Sequence, residues 1–213
     1  MSNAGRHPPH FVVGIGASAG GLEALVELLG ALPATGMAFI VVQHLDPTHE
    51  SLLPEILARK TTMAVALATA GEAVKPDHVY VIPADALLTV RGGLIEVKRR
   101  TTGPERPFPV DLLFSSLAVA YGEGAIGVVL SGGDADGSRG LREIKHAGGF
   151  TFAQKPESAR FPTMPARAIE TGCVDLVLHP KDIAGELVRL SRRTAWTSAT
   201  ANEPRSGGAS SGE

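Results

Sequence analysis

The sequence predicts an α/β fold: a doubly wound, mostly parallel sheet with helices on both faces and a small antiparallel hairpin. Three observations predict it. Short β-branched runs alternate with segments whose apolar residues recur at helical spacing, the pattern of successive βα units. Two of the strand runs, GMAFIVVQH and GAIGVVL, are apolar without alternation, as strands covered on both faces must be. One pair of runs, ALLTV and LIEVK, is divided by Arg-Gly-Gly, a hairpin signal.

Taken in order, HFVVGIG reads as a first strand ending in glycine. GLEALVELLGAL follows as a helix, with Leu22, Leu25, Val26 and Leu29 on one stripe. GMAFIVVQH and HESLLPEILARK make a second strand and helix. Residues 61 to 100 are less regular, with short strands in MAVALAT and DHVYVIP before the hairpin. A polar, proline-bearing link, KRRTTGPERPFP, leads to a helix over about 110 to 121. The βα rhythm then resumes: GAIGVVLSGG is a strand, SRGLREIKHAGG a helix stopped by paired glycines, and FTFAQ a strand. MPARAIETG is a helix with proline near its start, VDLVL a strand, and KDIAGELVRLSRR a last amphipathic helix. This divides the chain into residues 1 to 10, an expression scar (MSNA) and flexible lead, one domain over 11 to 193, and a Ser/Gly/Ala-rich tail over 194 to 213 that reads as disordered.

Composition narrows the function. With 213 residues, 44% of them hydrophobic, the chain can bury one sizeable core. Its 20 basic and 22 acidic residues leave a formal net charge of -2, without the global positive field that favours nucleic acid or an anionic membrane. No apolar run approaches the ~20 residues of a spanning helix, and the N-terminus has no signal-peptide pattern. Cys173 has no intramolecular disulfide partner; it reads as a small buried hydrophobe in a reducing, cytoplasmic compartment.

In a parallel sheet the loops after the strands gather at one edge, where ligands bind. Three predicted strand ends carry reactive groups: Ser18, His44, and the acidic loop SGGDADG. The first turn, VVGIGASAGGLEAL, supports two motifs. Gly14-x-Gly16-x-x-Ala19 fits a dinucleotide loop, whereas Gly16-x-Ser18-x-Gly20 fits a turn that presents a nucleophilic serine. The dinucleotide reading wants an acidic residue at the second strand end, where Gln43-His44 stands and Asp46 lies two residues beyond. The order Ser, His, Asp also differs from the Ser, acid, His order of the α/β-hydrolases. From these residues alone a hydrolase, a nucleotide site and a purely structural glycine turn all stay open, with the hydrolase favoured.

GIGASAGG, VVQHLDP, VVLSGGDADGSRGL and MPARAIETGCVD occur in register, and with them the chain resembles the catalytic domain of CheB-type protein-glutamate methylesterases over about 11 to 190. GASAGGLEAL, VVQHLDPTHESLLPEIL and VYVIP are most similar to versions in hybrids that carry a receptor methyltransferase. The resemblance implies Ser18 as nucleophile, His44 as general base and then acid, and Asp136 as orienting carboxylate. It implies demethylation of glutamyl methyl esters in the cytoplasmic region of chemoreceptors with release of methanol, and deamidation of receptor glutamines as a second activity. The partners implied are that methylated receptor region and a receptor methyltransferase domain, with no nucleic acid and no membrane insertion. The chemistry requires these residue types: a serine hydroxyl is a weak nucleophile until an imidazole takes its proton, and the tetrahedral oxyanion needs N–H donors. Backbone amides around Ala19 and Gly20 and at Gly133 are the candidate donors, and Met164 is a candidate substrate-lining residue. No cofactor and no metal are expected.

The chain departs from the family pattern at three places. Ala19 replaces a common threonine, Gly133 a methionine, and Asp134 a glycine. Asp136, before Gly137, is the better match to the orienting position, and Asp134 is the alternative. A second carboxylate near His44 would raise the histidine pKa and weaken it as a base. The altered loop therefore also admits a catalytically weakened module that binds a receptor or methyltransferase. His49, His78, His146 and His179 lack metal-ligand spacing and read as surface or capping residues. Lys98, Arg99, Arg100 and Arg106 read as a solvated basic loop, and Trp196 as a tail residue.

Overall fold

The computed structural model describes residues 8–43, 52–100 and 108–200, with side chains up to residue 192. His44, Asp46, His49 and Arg106 lie outside the described residues.

Among the described residues, nine strands and six α-helices follow the predicted alternation: β1 (Val12–Ala17), α1 (Gly21–Gly30), β2 (Ala38–Gln43), α2 (Leu53–Ala58), β3 (Ala64–Leu67) and β4 (His78–Val81). The hairpin β5 (Ala86–Arg91) and β6 (Leu94–Arg99) comes next, then α3 (Pro109–Tyr121), β7 (Ala125–Val129) and α4 (Ser138–His146). The chain closes with β8 (Phe150–Gln154), α5 (Thr163–Glu170), β9 (Leu176–Leu178) and α6 (Pro180–Thr200). Seven strands form one sheet in the order β3-β4-β2-β1-β7-β8-β9, every pair parallel. The hairpin stands apart from it and turns through Gly92 and Gly93, both at positive φ as a tight hairpin turn with right-handed twist requires.

The helices cover both faces, and the alternation of β1 decides which residues meet which helix. Val13, Ile15 and Ala17 face α1, α2 and α6, joining Leu25, Leu28, Leu57, Ile183 and Leu187 in one core. Each such fully buried leucine or isoleucine contributes about 1.5–3 kcal/mol of transfer free energy. On the other face Val12 joins Val110, Leu113, Phe114 and Leu117 of α3, with α4 and α5 beside α3 on β7 and β8 and the hairpin packed against α3. Gly14 and Gly16 lie on that second face. A Cβ at Gly16 would stand 2.3 Å from Val110 Cγ1, and one at Gly14 would stand 2.8 Å from Leu117 Cδ1. These motif glycines let α3 lie against the middle of β1, a packing role unrelated to a cofactor.

α6 continues to Thr200, beyond the end near residue 193 and into the segment read as tail. Residues 194–200 contain neither glycine nor proline, so nothing in the local chain stops the helix there. Cys173 is half-buried rather than buried, because it sits in the turn between α5 and β9.

The outer part of the sheet is pinned by one carboxylate. Asp175, just before β9, accepts hydrogen bonds from the Thr151 amide (3.0 Å) and hydroxyl (3.0 Å) on β8 and pairs with Lys145 of α4. Partial burial works against its charge, but Lys145 and the two Thr151 donors outweigh that cost and hold its pKa below the usual carboxylate value. A depressed folded-state pKa means the stabilisation is present above the unfolded value of ~3.9 and fades as pH falls through the folded one. Asp175→Asn is expected to cost about 1–2 kcal/mol at pH 7. It should also flatten the decline of stability below pH ~4, as read by denaturant unfolding across that range.

Candidate active site

The strand order creates the site. From β1 the first half of the chain builds outward through β2, β4 and β3, and the second half builds the other way through β7, β8 and β9. Winding therefore reverses between β1 and β7, and the loops leaving their carboxyl ends part to form the crevice in which such sheets bind ligands. Register aligns the two ends, with Gly16 opposite Val129. Ser18 follows one strand, and the loop from Ser131 to Asp136 follows the other.

Ser18 sits half-buried in a tight turn. Its amide donates to the Ser131 carbonyl (2.9 Å), and its own carbonyl accepts from the Gly21 amide (2.9 Å). Gly20 closes the turn in the left-handed region, at φ 68°, as the N-cap of α1. The Ser18 hydroxyl makes no hydrogen bond among the described residues. Nor do the amides of Ala19, Gly20 and Gly133, so all three N–H groups are available to a ligand.

Asp136 is fully buried. Its two oxygens accept from the first-turn amides of α3, Val110 to Oδ2 at 3.0 Å and Asp111 to Oδ1 at 2.9 Å. The carboxylate thus serves as a cap from outside the helix, where donors and helix dipole both favour negative charge. Asp111 returns the arrangement one helix further on: its Oδ1 accepts from the Gly140 amide in the first turn of α4 at 2.7 Å. Burial pushes the Asp111 pKa up, the Gly140 hydrogen bond opposes this, and the nearby Asp136 charge adds to the rise. Asp134 acts within its own loop, where its Oδ1 accepts from the Asp136 amide at 3.0 Å in an Asx turn.

Met164 is fully buried, and its amide donates to the Gly132 carbonyl at 2.9 Å. It packs beneath the loop rather than lining open space. Gly132, which sequence reasoning passed over, is the crowded glycine. A Cβ there would lie 2.3 Å from Met164 Sδ and 3.0 Å from Ser18 Cβ, whereas one at Gly133 would meet nothing within 4 Å. Gly132→Ala is therefore expected to displace the serine and lower turnover by at least about tenfold, since small misplacements of reacting groups are costly. Gly133→Ala keeps its N–H and should retain near-normal turnover; steady-state kinetics of both variants checks the contrast.

Two more residues missed from sequence tie the site together. The amide of Ser131 donates to Gln154 Oε1 (2.9 Å), and Gln154 Nε2 donates to the carbonyl of Ser158 (3.1 Å). Ser131 and Gln154 are polar residues buried at the carboxyl ends of strands, the position that singles out Ser18 and His44. A search of every strand end for polar residues would have found them. Among the described residues, no group of three or more His, Cys, Asp or Glu side chains is placed to hold a metal.

Fold and site together define a doubly wound α/β domain whose switch point presents a strand-end serine, unpaired turn amides and a buried carboxylate. The sequence model of the CheB methylesterase family matches residues 13–187, and the chain belongs to that family. A solved structure of the Thermotoga maritima CheB methylesterase catalytic domain superposes with a TM-score of 0.77 at 31% identity, covering 84% of this chain and 98% of the other. Curated relatives include a protein-glutamate methylesterase/protein-glutamine glutaminase from Photorhabdus laumondii, 36% identical over 85% of this chain. Another, from Anaeromyxobacter dehalogenans, is 39% identical over 85% of this chain. This chain spans about half the length of those relatives, 51% in each case. No described helix is long and apolar enough to cross a membrane.

Proposed function

We propose that the chain is a serine esterase that hydrolyses glutamyl methyl esters on chemoreceptors, with deamidation of receptor glutamines as a second activity of the same centre. The reading is supported by the adjacent ends of β1 and β7, from which the Ser18 turn and the loop bearing the buried Asp136 depart, joined by the Ser18 amide bond to the Ser131 carbonyl. The names of its relatives point to the same substrates.

Ser18 Oγ attacks the ester carbonyl while His44 takes its proton, and the oxyanion is received by the turn amides. Collapse expels methoxide, which leaves as methanol with the proton from His44. Water, deprotonated by the same imidazole, then cleaves the acyl-enzyme to a glutamate carboxylate and restores the serine. With a glutamine substrate the leaving group is ammonia. The role of His44 is supported by its chain neighbour Gln43, which pairs with Ala17, the residue before Ser18. Asp136 is favoured over Asp134 as the orienting carboxylate because it is buried and held by two helix amides, while Asp134 is engaged in its turn.

A cytoplasmic location and the cytoplasmic part of a methylated receptor as partner follow from this reading. The likeness of GASAGGLEAL to the hybrids supports a receptor methyltransferase domain as a second partner. Incubation with a methyl-labelled receptor fragment should release methanol, and release undiminished by Ser18→Ala would sink the assignment.

A further inference from the structure

We infer that the hydroxyl of Ser131 is a positioning group for catalysis: it aims the Gly20 N–H into the crevice as an oxyanion donor. The inference rests on the esterase reading of Ser18.

Ser131 is fully buried at the carboxyl end of β7 and belongs to neither the nucleophile nor its base. Its Oγ donates to the Ala19 carbonyl at 2.9 Å and accepts from the Phe161 amide at 3.0 Å. The Phe161 carbonyl is more distant, at 3.4 Å, so the single hydroxyl proton is committed to Ala19. The same residue's carbonyl holds the Ser18 amide, and its amide is held by Gln154. One buried residue therefore joins the nucleophile turn, the β7 loop and the segment before α5.

The consequence follows from peptide geometry. A trans peptide is planar, and its C=O and N–H point in opposite directions. Ala19 C=O and Gly20 N–H belong to one such unit, so fastening the carbonyl inward to Ser131 turns the N–H outward, away from the protein. The preceding unit is fixed as well: the Ser18 carbonyl is held by the Gly21 amide, which turns the Ala19 N–H away from that bond. Neither N–H has a hydrogen-bond partner among the described residues. The Ser18 N–H, by contrast, is already spent on the Ser131 carbonyl and is not available to an oxyanion. The Gly20 N–H, preorganised by the bond on the inner side of its own peptide unit, is a donor that needs no reorganisation when charge develops. Without the hydroxyl the Ala19–Gly20 unit can rotate about a glycine, the residue with the least resistance to rotation.

The test compares Ser131→Ala, Ser131→Cys and Ser131→Thr with Ser18→Ala in the 213-residue chain. The readouts are kcat and KM for methanol release from a methyl-labelled receptor fragment, and the rate of Ser18 modification by a fluorophosphonate. Loss of one oxyanion donor generally costs ~10²–10³-fold in kcat, and a misaimed donor part of that, so Ser131→Ala should lower kcat by about 10- to 100-fold. KM should stay within about threefold, phosphonylation should slow in parallel, and Ser131→Thr, which keeps the hydroxyl, should restore most of the rate. Should Ser131→Ala fail to fold, Ser131→Cys fills the same space with a weak donor, and its kcat should still fall at least about tenfold. Unchanged kcat in a folded Ala or Cys variant, or a Thr variant as slow as Ala, overturns the proposal while an inactive Ser18→Ala leaves the esterase reading standing. An active Ser18→Ala overturns that reading itself.

Discussion

Ser18→Ala is expected to lower methanol release by at least about 10⁴-fold while leaving the thermal midpoint within about 2 °C of the parent protein. The activity loss follows from the proposed mechanism, in which the Ser18 hydroxyl forms the covalent intermediate. What remains is the general acceleration from amide donors and binding, on the order of 10³–10⁴ over water in well-studied serine enzymes. Stability should hold because the structural work of this residue lies in its backbone. The amide bond to Ser131 and the carbonyl bond from Gly21 survive the substitution, and the hydroxyl has no partner among the described residues to lose. Measuring kcat beside a thermal melt distinguishes this outcome from a general loss of structure.

Asp136→Ala should behave in the opposite way on the second measurement. Its turnover is expected to fall by about 10³–10⁴-fold, as for other carboxylates that hold a catalytic imidazole in the correct tautomer. It should also lose about 2–4 kcal/mol of stability, because the Val110 and Asp111 amides would be left buried without an acceptor. Asp136→Asn keeps one carbonyl oxygen for these donors and places an NH₂ where the other oxygen stood. It should recover part of the stability but little of the activity. Denaturant unfolding with kcat for the three proteins gives the comparison; an Asp136→Ala variant of parental stability would mean that the carboxylate is not the cap of α3. On the proposed esterase reading the two residues are separable: Ser18 would carry chemistry alone, whereas Asp136 would carry chemistry and also holds a helix terminus.

That dual role explains why the site was only partly legible in the sequence. Reactive residues at strand ends could be recognised from local pattern, since a buried apolar run followed by Ser18 or by Asp134-Ala135-Asp136 marks the carboxyl edge of a parallel sheet. The preference for Asp136 over Asp134 rests on its place before Gly137, but what each carboxylate holds could not be read that way. It depends on where the amides of α3 lie, and α3 begins 25 residues or more before either aspartate in the chain. Gly14 and Gly16 show the same limit. As a string they suit a phosphate loop, and their use as a seat for α3 appears only once Val110 and Leu117 are placed against them. Gly132 and Gly133 are equivalent in the sequence and opposite in the fold, one wedged between Met164 and Ser18, the other open.

The sequence by itself determined the alternation of strands and helices, the hairpin at Gly92–Gly93, the family, and Ser18, His44 and Asp136 as the candidates worth testing. These are properties of hydrophobic period, turn residues and short motifs, each set within a few neighbouring residues. Only the tertiary structure decided that β1 lies between β2 and β7, that winding reverses there, and that Ser131 fastens the turn carrying Ser18. The physical reason is range: side-chain period records which face of a strand or helix is buried, but not which distant element buries it, and the chemistry of this site is assembled from such distant contacts.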